Sequence, residues 1–309
     1  MSRYLLAVSS IPGHVMPMIR IGQRLARRGH QADMLAGPRF AGQVAAAGLR
    51  FLPLPPGGVQ ARARRVLGEL GSGPLPVFLP DWPRLADRLV QLSVPALEYP
   101  RADLPGSVVF AGPVLPAAPP AAALPGWWPD LAAARAVVHV TQGTWDNADL
   151  GRLAGPAIRG LAHDDVLVVV STGGRPASAV PGPVPANVRV AEFLPYDELL
   201  PLVDVMVTNG GYSGVQHALA HGVPLVVAGN AADKGEVAAR VAYTGCGIDL
   251  RTGTPAAGAV AAGVRALLAD PRYRQQAGHR GQAIAATSPL DTIAELVTAL
   301  GGSHAGMAA

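Results

Sequence analysis

Six short apolar runs in the second half of the chain, AVVHVTQGT, VLVVVSTGG, NVRVAEF, VDVMVTNGG, VPLVVAG and CGIDL, are rich in β-branched residues, with helical stretches between most of them. Runs this brief and this continuous read as strands buried on both faces. Strands that alternate with helices form a parallel sheet, because each parallel neighbour needs a crossover to reach it. The first half opens the same way: YLLAVSS precedes the helix-patterned MPMIRIGQRLARRGH, and QADMLAG follows. There Met18, Ile21 and Leu25 share a helix face, Pro17 suits the first turn and Gly29 the C-cap. The fold class is therefore α/β. A chain of 309 residues, half of them hydrophobic, is long enough for two domains with separate cores. The proline-rich PAAPPAAALPGWWPD between the halves reads as a stiff linker. The expected division is a first domain over 1–115, a linker over 116–129, a second domain over 130–300, and a disordered tail over 301–309.

Several function classes fall away on composition. The one cysteine, Cys246, removes any internal disulfide and any multi-cysteine metal site. Lys+Arg exceeds Asp+Glu by only 4, the surplus is dispersed, and aromatics are 5%, so no nucleic-acid surface is expected. The N-terminal MSRYLLAVSS lacks the charged region, long apolar run and cleavage site of a signal peptide, and no run of about 18 apolar residues occurs. A cytoplasmic enzyme is the expectation.

The stretch TNGGYSGVQHALAHGVPLVVAG, Thr208 to Gly229, holds five glycines between two apolar runs. Asn209-Gly210 alone would suit a tight hairpin. A hairpin is followed by an alternating strand, whereas SGVQHALAHG puts Val215 and Leu219 on a helical face that ends at Gly222. The glycines thus lie in a strand-to-helix turn, where absent side chains let helix N-terminal amides approach an anion. In an open parallel sheet such turns line the carboxyl edge of the strands, where ligands bind. Glycine-bearing turns recur at TQGT and STGG. A phosphate group is the expected ligand.

This stretch, followed by NAADKGEVAARV, resembles the donor-binding signature of inverting family 1 glycosyltransferases, the macrolide and UDP-glucuronosyl/glucosyltransferase group. The resemblance extends to SIPGHVMPMIRIGQRLARRGH and VVHVTQGT. It implies the GT-B fold: two Rossmann-like domains facing across a cleft, the N-terminal one here reduced. It implies donor diphosphate contacts at Asn209, Gly210, Gly211, Tyr212, Ser213 and Gly214, with Gln142, Gly143 and Thr144 opposite. Phe193-Leu194-Pro195 matches the loop that holds the nucleotide base; Phe193 either stacks on the base or belongs to the core. Asp233 and Lys234 match the Asp-Gln pair that reads sugar hydroxyls, and Lys234 is the only lysine beside 24 arginines. The resembling pattern has histidine at Asn209 and often a ribose-binding glutamate at His217. Asn209 can hydrogen-bond a diphosphate but carries no charge, so the leaving group leans on backbone amides and the helix end. His217 and His221 are four apart, as in zinc peptidase helices, yet no third ligand is evident and no Asp-x-Asp motif occurs, so no metal is assigned.

His14, in SIPGHVMP after the first strand and before the expected first helix, matches the histidine that takes the proton from the acceptor hydroxyl, with Gly13 beside it on the donor side. A histidine with pKa near 6.5 suits that work at neutral pH; the plainer role is capping the helix start. Relatives carry a long middle section after the third strand, with an aspartate that orients the histidine. Here GLRFLPLPPGG runs almost at once into sequence resembling the late part of that domain, and neither Asp81 nor Asp87 matches that aspartate. The reading is a glycosyltransferase that moves a sugar from a UDP- or dTDP-sugar co-substrate to a small hydrophobic acceptor, with no other cofactor. Its alternatives are a non-catalytic nucleotide-sugar-binding protein and, on the same fold, an epimerase. Loss of central strands is expected to expose an edge through which a homodimer forms, which sedimentation decides.

Overall fold

The computed structural model describes residues 2–8, 12–54, 86–116 and 124–305, together with 65, 68, 69 and 71. Asp81, residues 117–123 of the linker and the last four residues of the tail lie outside the described residues. The chain divides into two compact units, one of Met1–Leu92, Arg101–Pro116 and Ser288–Ala309, the other of Ser93–Pro100 and Ala117–Thr287.

In the first unit β1 (Arg3–Ala7), α1 (Pro12–Arg27), β2 (Gln31–Ala36), α2 (Ala41–Ala46) and β3 (Arg50–Pro53) build a parallel sheet in the order β1-β2-β3. A separate parallel pair, β4 (Leu89–Gln91) and β5 (Val108–Phe110), belongs to the same unit. Asp33, buried on the central strand, takes the guanidinium groups of Arg3 and Arg50 from the strands on either side, at 2.6 and 2.9 Å. A buried carboxylate needs such partners, so the triad favours one register. Helix α1 starts at Pro12, five residues earlier than Pro17 implies, which puts His14 inside the helix. Proline is well suited to a helix start, and Pro17 then forfeits one hydrogen bond within α1. As expected, Gly29 closes α1 at φ +82°, its amide bonded to Ala26. The last helix, Pro289–Ala305, places Ile293 and Ala294 in the core formed by Val15, Leu25 and Met34, and carries helix through residues 301–305 of the expected tail.

In the second unit the six apolar runs are six strands: β6 (Val137–Thr141), β7 (Leu167–Ser171), β8 (Val188–Ala191), β9 (Val205–Thr208), β10 (Leu225–Val227) and β11 (Gly247–Asp249). All pair in parallel, in the order β11-β10-β9-β6-β7-β8. Every residue of β6, β7, β9 and β10 is buried, which is why these runs lack polar alternation. Around the sheet lie α3 (Ala154–Leu161), α4 (Tyr196–Leu199), α5 (Tyr212–Ala220), α6 (Lys234–Tyr243), α7 (Ala257–Ala269) and α8 (Pro271–Ala285). Successive strand residues face opposite layers. Val138, Val140, Val205 and Val207 pack with Ala157 and Leu161 of α3 and Val260 of α7. Val137, Met206 and Leu225 pack with Leu219 of α5, Val241 of α6 and Ala277 of α8.

Strands β6 and β9 are neighbours, yet the chain leaves β6 toward α3 on one face and β9 toward α5 on the other. That divergence opens a crevice beyond their carboxyl ends, the place where doubly wound sheets bind ligands. Ser93–Pro100 also belongs to this unit, with Val94 and Leu97 buried in its core. Among the described residues no single helix is long and apolar enough to cross a membrane.

Candidate active site

The two turns at the crevice are built around Asn209. Gly210 adopts φ +84°, and a Cβ there would approach Val227 Cγ1 to 2.9 Å and the Lys234 carbonyl oxygen to 3.3 Å, so both conformation and space demand glycine. Gly211 is the N-cap of α5 in an ordinary extended conformation, and a Cβ on it would meet only Asn209 Oδ1, at 4.0 Å. Across the crevice, a Cβ on Gly143 would meet the same oxygen at 3.9 Å and nothing else. The bare faces of both glycine turns therefore open onto the space beside one amide group. The first-turn amides of α5, on Tyr212, Ser213 and Gly214, have no acceptor within the helix and carry the positive end of its dipole. Such an arrangement attracts an anion.

The side chains around this space are tied into the protein. Asn209 Nδ2 donates to the Gln142 carbonyl at 2.5 Å, so the amide links the turn after β9 to the turn after β6. Gln142 Oε1 accepts from the amides of Leu153 and Ala154, both at 3.2 Å, which caps the start of α3. Thr144 is exposed. Lys234 is buried and ion-paired with Asp146, which also takes Arg152 at 3.1 Å; its ammonium thus serves Asp146, while Asp233 stands exposed just before α6. A small pocket beside this pair is lined by Gln142, Asp146, Arg152, Leu153, Asn209, Ala228, Gly229 and Gly253. Phe193 is 67% exposed with its ring edge over Gly174, where a Cβ would come within 2.7 Å of it. It is not a core phenylalanine. Leu194 is half-buried against the core.

Glu98 ties the segment Ser93–Pro100 to this helix end. Tyr212 donates from its hydroxyl to Glu98 Oε1 at 2.7 Å, and Arg240 donates to Oε2 at 2.6 Å. No motif in the sequence pointed to Glu98, Asp146 or Asp197.

His217 is buried and donates from Nε2 to Asp197 Oδ1 at 2.8 Å. Burial pushes its imidazole below the ordinary value, against the pull of Asp197, and the hydrogen bond from His217 holds the Asp197 carboxyl below its own. His221 Nε2 stands 3.7 Å from the same oxygen. Asp197 is therefore the third potential ligand that the His217–His221 spacing lacked in sequence. In the first unit, His14 is exposed in α1, with Gly13 just before it in the same helix.

His139, fully buried on β6, donates from Nδ1 to the Val169 carbonyl at 3.0 Å, which leaves Nε2 to accept from the Tyr196 hydroxyl at 3.0 Å. Burial lowers its pKa to about 4. The unfolded chain then binds more protons than the folded one between pH 6.5 and about 4, so stability is full above 6.5 and falls as the pH drops through that window. Urea unfolding is expected to show about 2 kcal/mol less stability at pH 5 than at pH 7.5 from this group. His139→Gln should flatten the profile by that amount; an unchanged slope would remove His139 as its cause.

Residues 159–300 match the family of the erythromycin biosynthesis protein CIII-like, C-terminal domain. The chain is 48% identical over 217 residues to the 4'-demethylrebeccamycin synthase of Lentzea aerocolonigenes, which covers 70% of this chain and 51% of that one. It is 36% identical over 218 residues to UDP-glucosyltransferase A1 of Starmerella bombicola, with coverage of 70% and 47%. The chain thus spans about half the length of these curated relatives. The crystal structure of CalG4, the calicheamicin glycosyltransferase, matches with a TM-score of 0.78 and 20% identity over 98% of this chain and 99% of that one, a likeness that shows the fold.

Proposed function

We propose, from the premise that this chain belongs to the family 1 glycosyltransferases of GT-B fold, with an erythromycin biosynthesis protein CIII-like C-terminal domain over residues 159–300, that it moves a sugar from a UDP- or dTDP-sugar to a hydroxyl of a small hydrophobic acceptor. The observation that carries the reading is the open space between Gly143 and Gly211 at the positive end of α5. The donor diphosphate lies there on the amides of Gly211 through Gly214. Phe193 offers an exposed ring to the base, and Asp233 an exposed carboxylate to the sugar hydroxyls. In the transfer the acceptor oxygen gives its proton to His14 and bonds to the anomeric carbon, while the carbon–oxygen bond to the diphosphate breaks on the opposite face. The anomeric centre is inverted. Charge growing on the departing diphosphate is met by fixed amides and the helix dipole, worth roughly 0.3–1 kcal/mol and up to about 2 where partly buried. No metal is assigned to this step.

Gly211→Val tests the site directly. Valine fits the backbone of Gly211 and meets no protein atom closer than 4.0 Å at its Cβ, so the fold tolerates it while its branches fill the anion's space. In calorimetric titrations with a panel of UDP- and dTDP-sugars, the wild type should bind at least one donor and Gly211→Val should bind it at least ~100-fold more weakly with an unchanged melting temperature. That ratio corresponds to roughly 3 kcal/mol. Undiminished binding in the variant would place the donor elsewhere. One observation favours a second reading, donor binding without transfer: the main sheet of the first unit has three strands among the described residues. Product analysis with the bound donor and a phenolic acceptor separates the two.

A further inference from the structure

We propose that Asp197, His217 and His221 form a binding site for a zinc-class divalent ion that clamps α4 to α5. Three potential ligand atoms, one from each residue, lie within 4.8 Å of one another. His217 and His221 sit one helical turn apart on α5 with their rings 5.6 Å apart at 29°, and both present Nε2 to a single oxygen, Asp197 Oδ1. Ligand atoms at ~2.0–2.1 Å from a tetrahedral zinc stand about 3.4 Å from each other. The nitrogen-to-oxygen separations of 2.8 and 3.7 Å bracket that value, so small side-chain rotations suffice to admit the ion.

The surroundings hold this geometry. The His217 ring is buried and meets Tyr196 edge-on at 5.4 Å, and Tyr196 in turn meets His139 edge-on at 5.3 Å. Asp197 and His221 retain side-chain exposures of 45% and 25%, which leaves an entry route and a fourth position for water. Two imidazoles and one carboxylate suit zinc, cobalt, nickel or copper better than calcium or magnesium, which prefer oxygen ligands. The site stands apart from the proposed diphosphate position. His217 is six residues and His221 ten residues beyond Gly211, about 9 and 15 Å along the helix axis. The ion is thus a clamp on the helix that ends at the crevice and takes no part in transfer.

The test uses tag-free chain stripped with a chelator and titrated with Co²⁺ while visible absorbance is followed, then with Zn²⁺ while melting is followed. One Co²⁺ per chain is expected, with a ligand-field band that Zn²⁺ abolishes. His221→Gln and Asp197→Asn should each weaken binding at least ~10-fold and cancel the rise in melting temperature that Zn²⁺ gives the wild type. Both variants change the more accessible members of the trio, which spares the buried His217. Absence of stoichiometric Co²⁺ binding in the wild type would overturn the proposal, and so would binding that persists undiminished in both variants.

Discussion

Gly229→Ala is expected to lower the melting temperature by on the order of 10 °C. Gly229 follows β10, one residue after Ala228, whose amide donates to Thr208 at 2.8 Å. At that point the chain passes so close to the end of β9 that a Cβ on Gly229 would overlap the Asn209 carbonyl oxygen, lie 2.9 Å from its carbon and 3.2 Å from Lys234 Cβ. None of these obstacles is the free end of a side chain. Relief requires parting β9 from β10 or moving Asn209, which Gln142 holds from the other side. Overpacking costs typically 1–3 kcal/mol where side chains yield; against backbone the expected cost is about 4 kcal/mol. At ~2–4 °C per kcal/mol for a unit of this size, calorimetric melting resolves it easily. Gly211→Val, a larger substitution two residues from the same carbonyl, should melt with the wild type because its space is open. If Gly229→Ala melts within about 2 °C of the wild type, the close approach of the two turns is not a rigid feature of the site.

That contrast shows which parts of the molecule were legible in the sequence. The strands of the second unit were plain because four of them are buried on both faces, so their residues had to be apolar without interruption. The glycine turns were plain because their backbone requirements are local: a positive φ at Gly210 and a helix starting just beyond Gly211. The start of α1 was misplaced because Pro17 suited a first turn, whereas the helix starts five residues earlier, at Pro12. Phe193 stayed ambiguous because exposure is decided by what packs over a residue, and here the ring, lying against Gly174, is left 67% exposed. Least legible were the partners of charged groups. Lys234 finds Asp146 at a separation of 88 residues, Tyr212 finds Glu98 at 114 and His217 finds Asp197 at 20. A buried charge or a desolvated imidazole demands a partner, but spacing along the chain does not name it. The survival of one lysine among 24 arginines was the one hint, and the ion pair that Lys234 makes beside Gly210 and Gly229 gives it a structural reason.

His14→Ala is expected to reduce turnover by about 10²–10⁴-fold while donor affinity, measured by calorimetry, stays within about twofold, since the proposed donor site is built from the second unit. The loss should depend on the acceptor. A general base contributes most where the attacking hydroxyl is reluctant to give up its proton, and least where that proton is already acidic. The penalty of His14→Ala should therefore lie near the upper end of that range for an aliphatic alcohol and near or below the lower end for a phenol. A residue that merely caps the first turn of α1 predicts a different pattern. Its loss would lower stability by about 0.5–2 kcal/mol and reduce turnover equally for every acceptor. Parallel rate measurements on a series of phenols and aliphatic alcohols, in wild type and variant at one pH, distinguish the two. A slope against acceptor acidity that is the same in both proteins would take the proton away from His14 and leave its place in the helix as its only role.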